Sequence, residues 1–183
     1  MKTAVLKTLP LFLAVGWVSV YGAGSKSPSM QETLSFIMDT LNSYGTSSLT
    51  GDATERRSYT LESLGGCRVT LTDHIRSYSK DGSTFSDSIT EQSFDLSSID
   101  PNTIGKTGVE RGFNGGEDYP IVFGTRNSSR SIETRSNGNV GREWRTNEEA
   151  TGEFVVAADS VATSLVKALR HAVILCGGRA SLF

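Results

Sequence analysis

The spacing of apolar side chains changes twice along this chain, and each change marks a new kind of element. Leu34, Ile37, Met38, Leu41 and Tyr44 recur at three- and four-residue steps, which gathers them on one face of a helix. Ser29 and Glu32 have the spacing of a capping box, and Gly45 is a natural stop. The pattern therefore predicts a helix from Met30 to Tyr44, followed by a loose Thr/Ser/Gly loop through Thr54. From Tyr59 the period shortens to two. Tyr59 and Leu61, then Cys67, Val69 and Leu71, alternate with polar residues on either side of Gly65-Gly66, the pattern of a β-hairpin. Asp81-Gly82 supplies a second turn, between a strand ending near Tyr78 and one carrying Phe85 and Ile89. Phe94 and Leu96 extend the meander to Asp100-Pro101, where proline removes a donor. Further strands are expected at Val109 to Phe113, Tyr119 to Phe123, Ser131 to Arg135 and Glu153 to Val156.

The helical period returns at the end. Val161, Leu165, Ala168, Leu169, Ala172 and Cys176 share one side of a helix, flanked by Ala162, Val166, Val173 and Leu175, while Lys167, Arg170 and His171 lie opposite. Asp159 is placed to cap its start and Gly177-Gly178 to end it. So broad an apolar arc facing three cationic groups favours core packing over lying on a membrane. Together the elements predict one α+β domain: a curved antiparallel sheet of about five to seven strands, with an N-terminal and a C-terminal helix packed on it. Residues 25–54 supply the first helix and loop, and residues 55–183 the sheet and closing helix.

The first 24 residues stand apart. Lys2 and Lys7 precede an apolar run from Leu9 to Val20, and small residues follow at Gly22, Ala23 and Gly24, the arrangement of a cleaved signal peptide. A membrane-spanning helix needs about 20 apolar residues, more than this run offers. Export to the periplasm or the exterior is the expectation. Removing Lys2 and Lys7 takes the basic residues from 18 to 16 against 20 acidic ones, a net charge of −4. That balance invites neither nucleic acid nor an anionic membrane.

Catalytic signals are sparse. The chain has two histidines: His74, on the polar parity of its strand, and His171, on the polar side of the last helix. No Gly-x-Ser-x-Gly elbow or His-Glu-x-x-His motif accompanies them. Gly105-Lys106-Thr107 resembles the end of a phosphate-binding loop, but Asp100 stands where the motif needs glycine, so a turn is expected. Glu117-Asp118 and Glu148-Glu149 lack calcium-loop spacing and are expected to be solvated loop charges. Nothing calls for a metal or cofactor.

One local bias remains. Arg126, Arg130, Arg135, Arg142 and Arg145 face only Glu133 and Glu143 between them, with Trp144 in the same stretch. Arginine and tryptophan suit a partner that offers carboxylates, phosphates or anionic sugars, so these six residues form the candidate ligand-binding set; the bland alternative is a set of strand-face charges paired with Glu148 and Glu149. Cys67 shares its strand face with Val69 and Leu71, and Cys176 lies in the apolar arc of the last helix, so both sulfurs should point into one core. In an oxidising compartment they are expected to form a disulfide; two buried thiols are the alternative.

Phe94-Asp95-Leu96-Ser97-Ser98-Ile99-Asp100-Pro101 followed by Ile104, with Lys167-Ala168-Leu169-Arg170-His171-Ala172 and Leu175-Cys176-Gly177-Gly178, resembles a group of uncharacterised secreted bacterial domains with a leading helix, a sheet and a closing helix. The element order is also similar to pleckstrin-homology-like domains. Both resemblances imply architecture and carry no activity. The functional expectation is a secreted or periplasmic non-enzymatic binding module for an anionic ligand or a protein partner. Its competitor is a small extracytoplasmic hydrolase using His74 or His171.

Overall fold

A computed structural model describes residues 27–44, 47–50, 53–111, 117–138 and 143–179. The expected signal peptide, Gly45, Arg142 and the end of the strand expected from Val109 to Phe113 lie outside the described residues. The chain runs α1 (Met30–Tyr44), β1 (Ser47–Thr50), β2 (Ala53–Ser63), β3 (Arg68–Ser79), β4 (Thr84–Asp95), β5 (Gly105–Lys106), β6 (Glu110–Arg111), β7 (Glu117–Gly124), β8 (Ile132–Asn137), β9 (Arg145–Glu149), β10 (Thr151–Val156) and α2 (Asp159–Leu175). The fold is α+β, with the two terminal helices packed on antiparallel sheet, as the periodicity implies.

The strands form two sheets. The larger has the order β1-β2-β3-β4-β8-β9; in the smaller, β7 is flanked by β10 on one side and by β5 and β6 on the other. One bent hairpin joins them. β7 and β8 run against β10 and β9 in turn, and the bend falls where the Thr125 N–H donates to the Ala150 carbonyl at 2.8 Å. Residues 125–131 bulge out opposite Ala150 alone, which lets the two sheets face each other across a shared core.

That core draws on both periodicities. Tyr59, Val69, Leu71 and Phe94 come from the inner face of the large sheet, Ile121, Phe123 and Phe154 from the small one, and Ile37, Leu41, Leu165 and Val173 from the helices. Phe94 and Phe123 pack with ring centroids 4.8 Å apart and their planes tilted by 42°. The Val155 N–H donates to the Tyr59 hydroxyl at 3.0 Å, and Gln92 bonds both the carbonyl (2.9 Å) and the amide (3.2 Å) of Glu153. These side chains therefore link the sheets where no strand pairing does. Gly152 lies beneath this joint: a Cβ there would come within 2.3 Å of Phe123 and 2.5 Å of Gln92.

Local details account for the helix ends. In α1 the Ser29 amide donates to Glu32 at 2.7 Å and the Glu32 amide to the Ser29 hydroxyl at 3.3 Å, the reciprocal pair expected of a capping box. At the end of α2, Gly177 takes φ 77° and its amide bonds the Ile174 carbonyl, while the Gly178 amide bonds that of Val173. This is a Schellman stop. Asp159 does not cap α2: Ala158 occupies that position, without a side-chain bond, and Asp159 is the first helical residue. There its charge still favours the helix start, and it pairs with Lys106. Cys67 and Cys176 are joined by a disulfide, with their Cα atoms 5.7 Å apart, tying the β2–β3 turn to the end of α2.

Three other expectations are corrected. The loop after α1 holds a strand, because Ser47–Thr50 pairs with Ala53–Arg56; its Ser/Thr composition has no apolar alternation to announce it. Gly105-Lys106 is a short strand on β7 rather than a turn, since β7 offers it an unpaired edge. Both carboxylate pairs lie on strands rather than in loops: Glu148 and Glu149 are exposed on β9, and Glu117 is exposed on β7 beside a half-buried Asp118.

Candidate functional site

Alternation in β3 sends successive side chains to opposite faces. Val69, Leu71 and Asp73 turn inward and are buried, whereas Arg68, Thr70, Thr72, His74 and Arg76 turn outward. Register then decides which outward groups meet. Arg76 is directly opposite Arg56 on β2 and Asp87 on β4; His74 is directly opposite Ser58 and Ile89. The result is a compact cluster on the outer face of the large sheet.

Two arginines in direct cross-strand register repel each other. Asp87 relieves one of them: its Oδ2 accepts from Arg76 Nε at 3.2 Å, while its Oδ1 accepts from His74 Nε2. The His74 hydrogen bond, with help from Arg76, holds the Asp87 carboxyl below the usual carboxylate range against the opposing effect of burial. Arg56 has no carboxylate partner among the described residues, and its guanidinium lies 5.6 Å from the centre of the Tyr78 ring. Between these groups lies a hollow of about 290 Å³ lined by Arg56, Arg57, Ser58, His74, Arg76 and Tyr78. Its cations outnumber its carboxylates.

On the inner side of the same strands, Arg57 forms a second polar centre. It meets both oxygens of Asp73, with Nη2 2.6 Å from Oδ2. Burial works against the Arg57 charge, but the Asp73 hydrogen bond and neighbouring negative groups outweigh it, so the guanidinium is held more firmly protonated than usual. Burial also pushes the Asp118 carboxyl up, against the pull of Arg57. Burial likewise raises the Tyr59 phenol, whose oxygen is occupied by Val155. This inner centre is structural.

The arginine-rich segment does not converge. Arg135 sits on the outer face, 3.5 Å from Glu91, with its guanidinium 5.0 Å from the centre of the Trp144 ring. Arg145 pairs with Ser136 and therefore takes the opposite face. Arg126 turns back to the carbonyls of Ser97 and Gly177, where it ties the end of α2 to the turn after β4. Arg130 is exposed on the bulge between the sheets. His171 is also occupied, with its Nε2 3.0 Å from the Pro28 carbonyl.

Arg56, Arg76, Asp87 and Tyr78 were absent from the sequence-based site because they lie in three different strands. The one available signal was the outward parity of His74 and Arg76. Among the described residues, no group of three or more His, Cys, Asp or Glu side chains could hold a metal ion, and no helix is long and apolar enough to cross a membrane. The chain matches no family model, no curated protein and no solved structure.

Proposed function

We propose that this is a secreted or periplasmic, non-enzymatic binding module that holds the anionic part of its ligand on the outer face of the large sheet, through Arg56, Arg76 and His74. The observation that carries the reading is the direct opposition of Arg56 and Arg76 beside a hollow lined by no carboxylate, with Asp87 paired to Arg76 and His74. An anion with several oxygens would relieve that repulsion, and guanidinium forks match carboxylate, sulfate or phosphate geometry. A disulfide between the only two cysteines supports export, because such bonds persist in oxidising compartments. Isothermal titration with glucuronate, sulfate and phosphate tests the site. Arg56→Glu with Arg76→Glu should weaken binding at least about 10-fold, in keeping with two lost charge-assisted contacts. If Arg130→Glu, Arg135→Glu and Arg142→Glu together weaken binding instead, the site moves to the arginine-rich segment.

A hydrolytic reading has one observation in its favour: Asp87 orients His74, and Ser58 lies directly opposite that histidine. Among the described residues no hydrogen bond joins Ser58 to His74, the contact a nucleophile–base pair needs. Loss of ester hydrolysis in His74→Ala, with binding intact, would favour this reading over ours.

A further inference from the structure

β2 carries an open edge beside a helix. β1 pairs with β2 only from Ala53 to Arg56, and among the described residues no strand continues along that side. The Leu64 amide donates to the Arg68 carbonyl at 2.9 Å, so even-numbered residues of this stretch bond β3 and odd-numbered ones turn their backbone groups away. Tyr59, Leu61 and Ser63 thus direct amides and carbonyls to that side, where Tyr59 is buried, 1% exposed, and Leu61 and Ser63 border the groove. The Leu61 amide confirms the direction: its partner, at 3.2 Å, is the Met38 thioether of α1, a weak acceptor. Burial of backbone groups without good partners is costly, and a natural sheet edge is usually blocked by charge, proline or a bulge. Here it borders a groove of about 600 Å³ between α1 and β2, whose walls include Met30, Leu34, Met38 and Leu61.

We infer that this groove takes an extended peptide segment of another protein, which adds as a strand to β2 and lies against α1. The backbone chemistry selects the occupant, because only an extended chain offers donors and acceptors at the two-residue spacing of Leu61 and Ser63. The dimensions agree: Met30 to Met38 spans about 12 Å along the helix and Leu61 to Ser63 about 7 Å along the strand, room for about three paired peptide residues. Thioethers on flexible stems can move aside and repack around apolar side chains, and Met38 would release the Leu61 amide as it does so. The groove's one carboxylate, Asp39, adds a charge preference: the peptide should alternate apolar residues with basic ones. This site is independent of the cationic hollow, which faces away from it on the outer side of the sheet.

The test uses the full chain labelled with nitrogen-15 and a capped five-residue peptide of alternating valine and lysine. The amides of Leu61 and Ser63 should shift and become protected from hydrogen exchange. Ser63→Pro removes one outward donor without touching the β3 ladder and should weaken binding about 10-fold. Asp39→Lys keeps the backbone intact and should invert the preference, so that a valine–glutamate peptide binds more tightly than the valine–lysine one. Three results overturn the proposal: no change at these amides at about 10 mM peptide; equal binding of a proline–lysine peptide, which would leave charge as the sole attraction; or protection of the same amides that rises with protein concentration alone, which assigns the edge to a second copy of this chain.

Discussion

Asp73 and His74 are neighbours in β3, yet they anchor polar clusters of opposite character. Asp73 points inward, 11% exposed, and closes a two-oxygen pair with Arg57, so that these two charges are matched within the fold. His74 points outward, 25% exposed, and shares Asp87 with Arg76, while Arg56 stands directly across with no carboxylate of its own among the described residues. The difference teaches what each cluster is for. A buried charge pair must be satisfied internally, because desolvation makes any unmatched charge costly. An outer cluster can retain excess charge, because water or a ligand can complete it.

The largest test of the inner side is covalent. Replacing Cys67 and Cys176 with serine should lower stability by about 4 kcal/mol, since the disulfide closes a span of 109 residues and so restricts the unfolded chain. Urea denaturation and melting with and without reductant measure it, and an outer-face variant such as Thr72→Ser should remain far more stable in the same assay.

Asp73→Ala and Asp87→Ala then compare the clusters directly. The first strands Arg57 and should cost about 3 kcal/mol, the low end for an uncompensated buried charge, because 22% of the Arg57 side chain still reaches water. The second should cost about 1 kcal/mol or less, as for a surface pair. A double change, Arg57→Met with Asp73→Leu, should recover most of the first loss; equal costs for the two alanine variants would erase the distinction.

The smallest effect is a difference in pH response. Asp87 has its folded-state pKa depressed, so the stability it contributes is present above the unfolded carboxylate value and is lost as pH falls through the folded one. Asp118 has its pKa raised by burial, so its ionisation destabilises the fold, and protonation as pH falls restores that stability. Asp87→Asn should flatten the acid limb of the stability curve, and Asp118→Asn should raise stability near neutral pH. Curves of unfolding free energy from pH 7 downward, about one unit apart through the carboxylate range, separate the two signs.

Periodicity carried much of the architecture. Leu34 to Tyr44 and Val161 to Cys176 announce helices because a helix buries every third or fourth residue, and Tyr59 to Leu71 announces strands because a pleated sheet buries every second. The same parity placed Cys67 and Cys176 in one core, and their disulfide follows from it. Local chemistry likewise marked the Ser29–Glu32 cap and the Gly177 stop. What periodicity could not convey is register and partnership. β1 carries a single apolar residue, Leu49, and β9 none, so no alternation distinguishes them from loops until β2 and β8 offer edges to pair with. The six-residue arginine and tryptophan set looked like a site because its members are close in sequence, but the strands send Arg135 and Arg145 to opposite faces and Arg126 back toward α2. The outer cluster has the reverse history. Arg56, His74, Arg76 and Asp87 span 32 positions of the chain, and the alignment of β2, β3 and β4 alone brings them together. By itself the sequence determined which residues face inward, since burial depends on local period; only the tertiary structure decided which outward charges meet, since that depends on the pairing of distant strands.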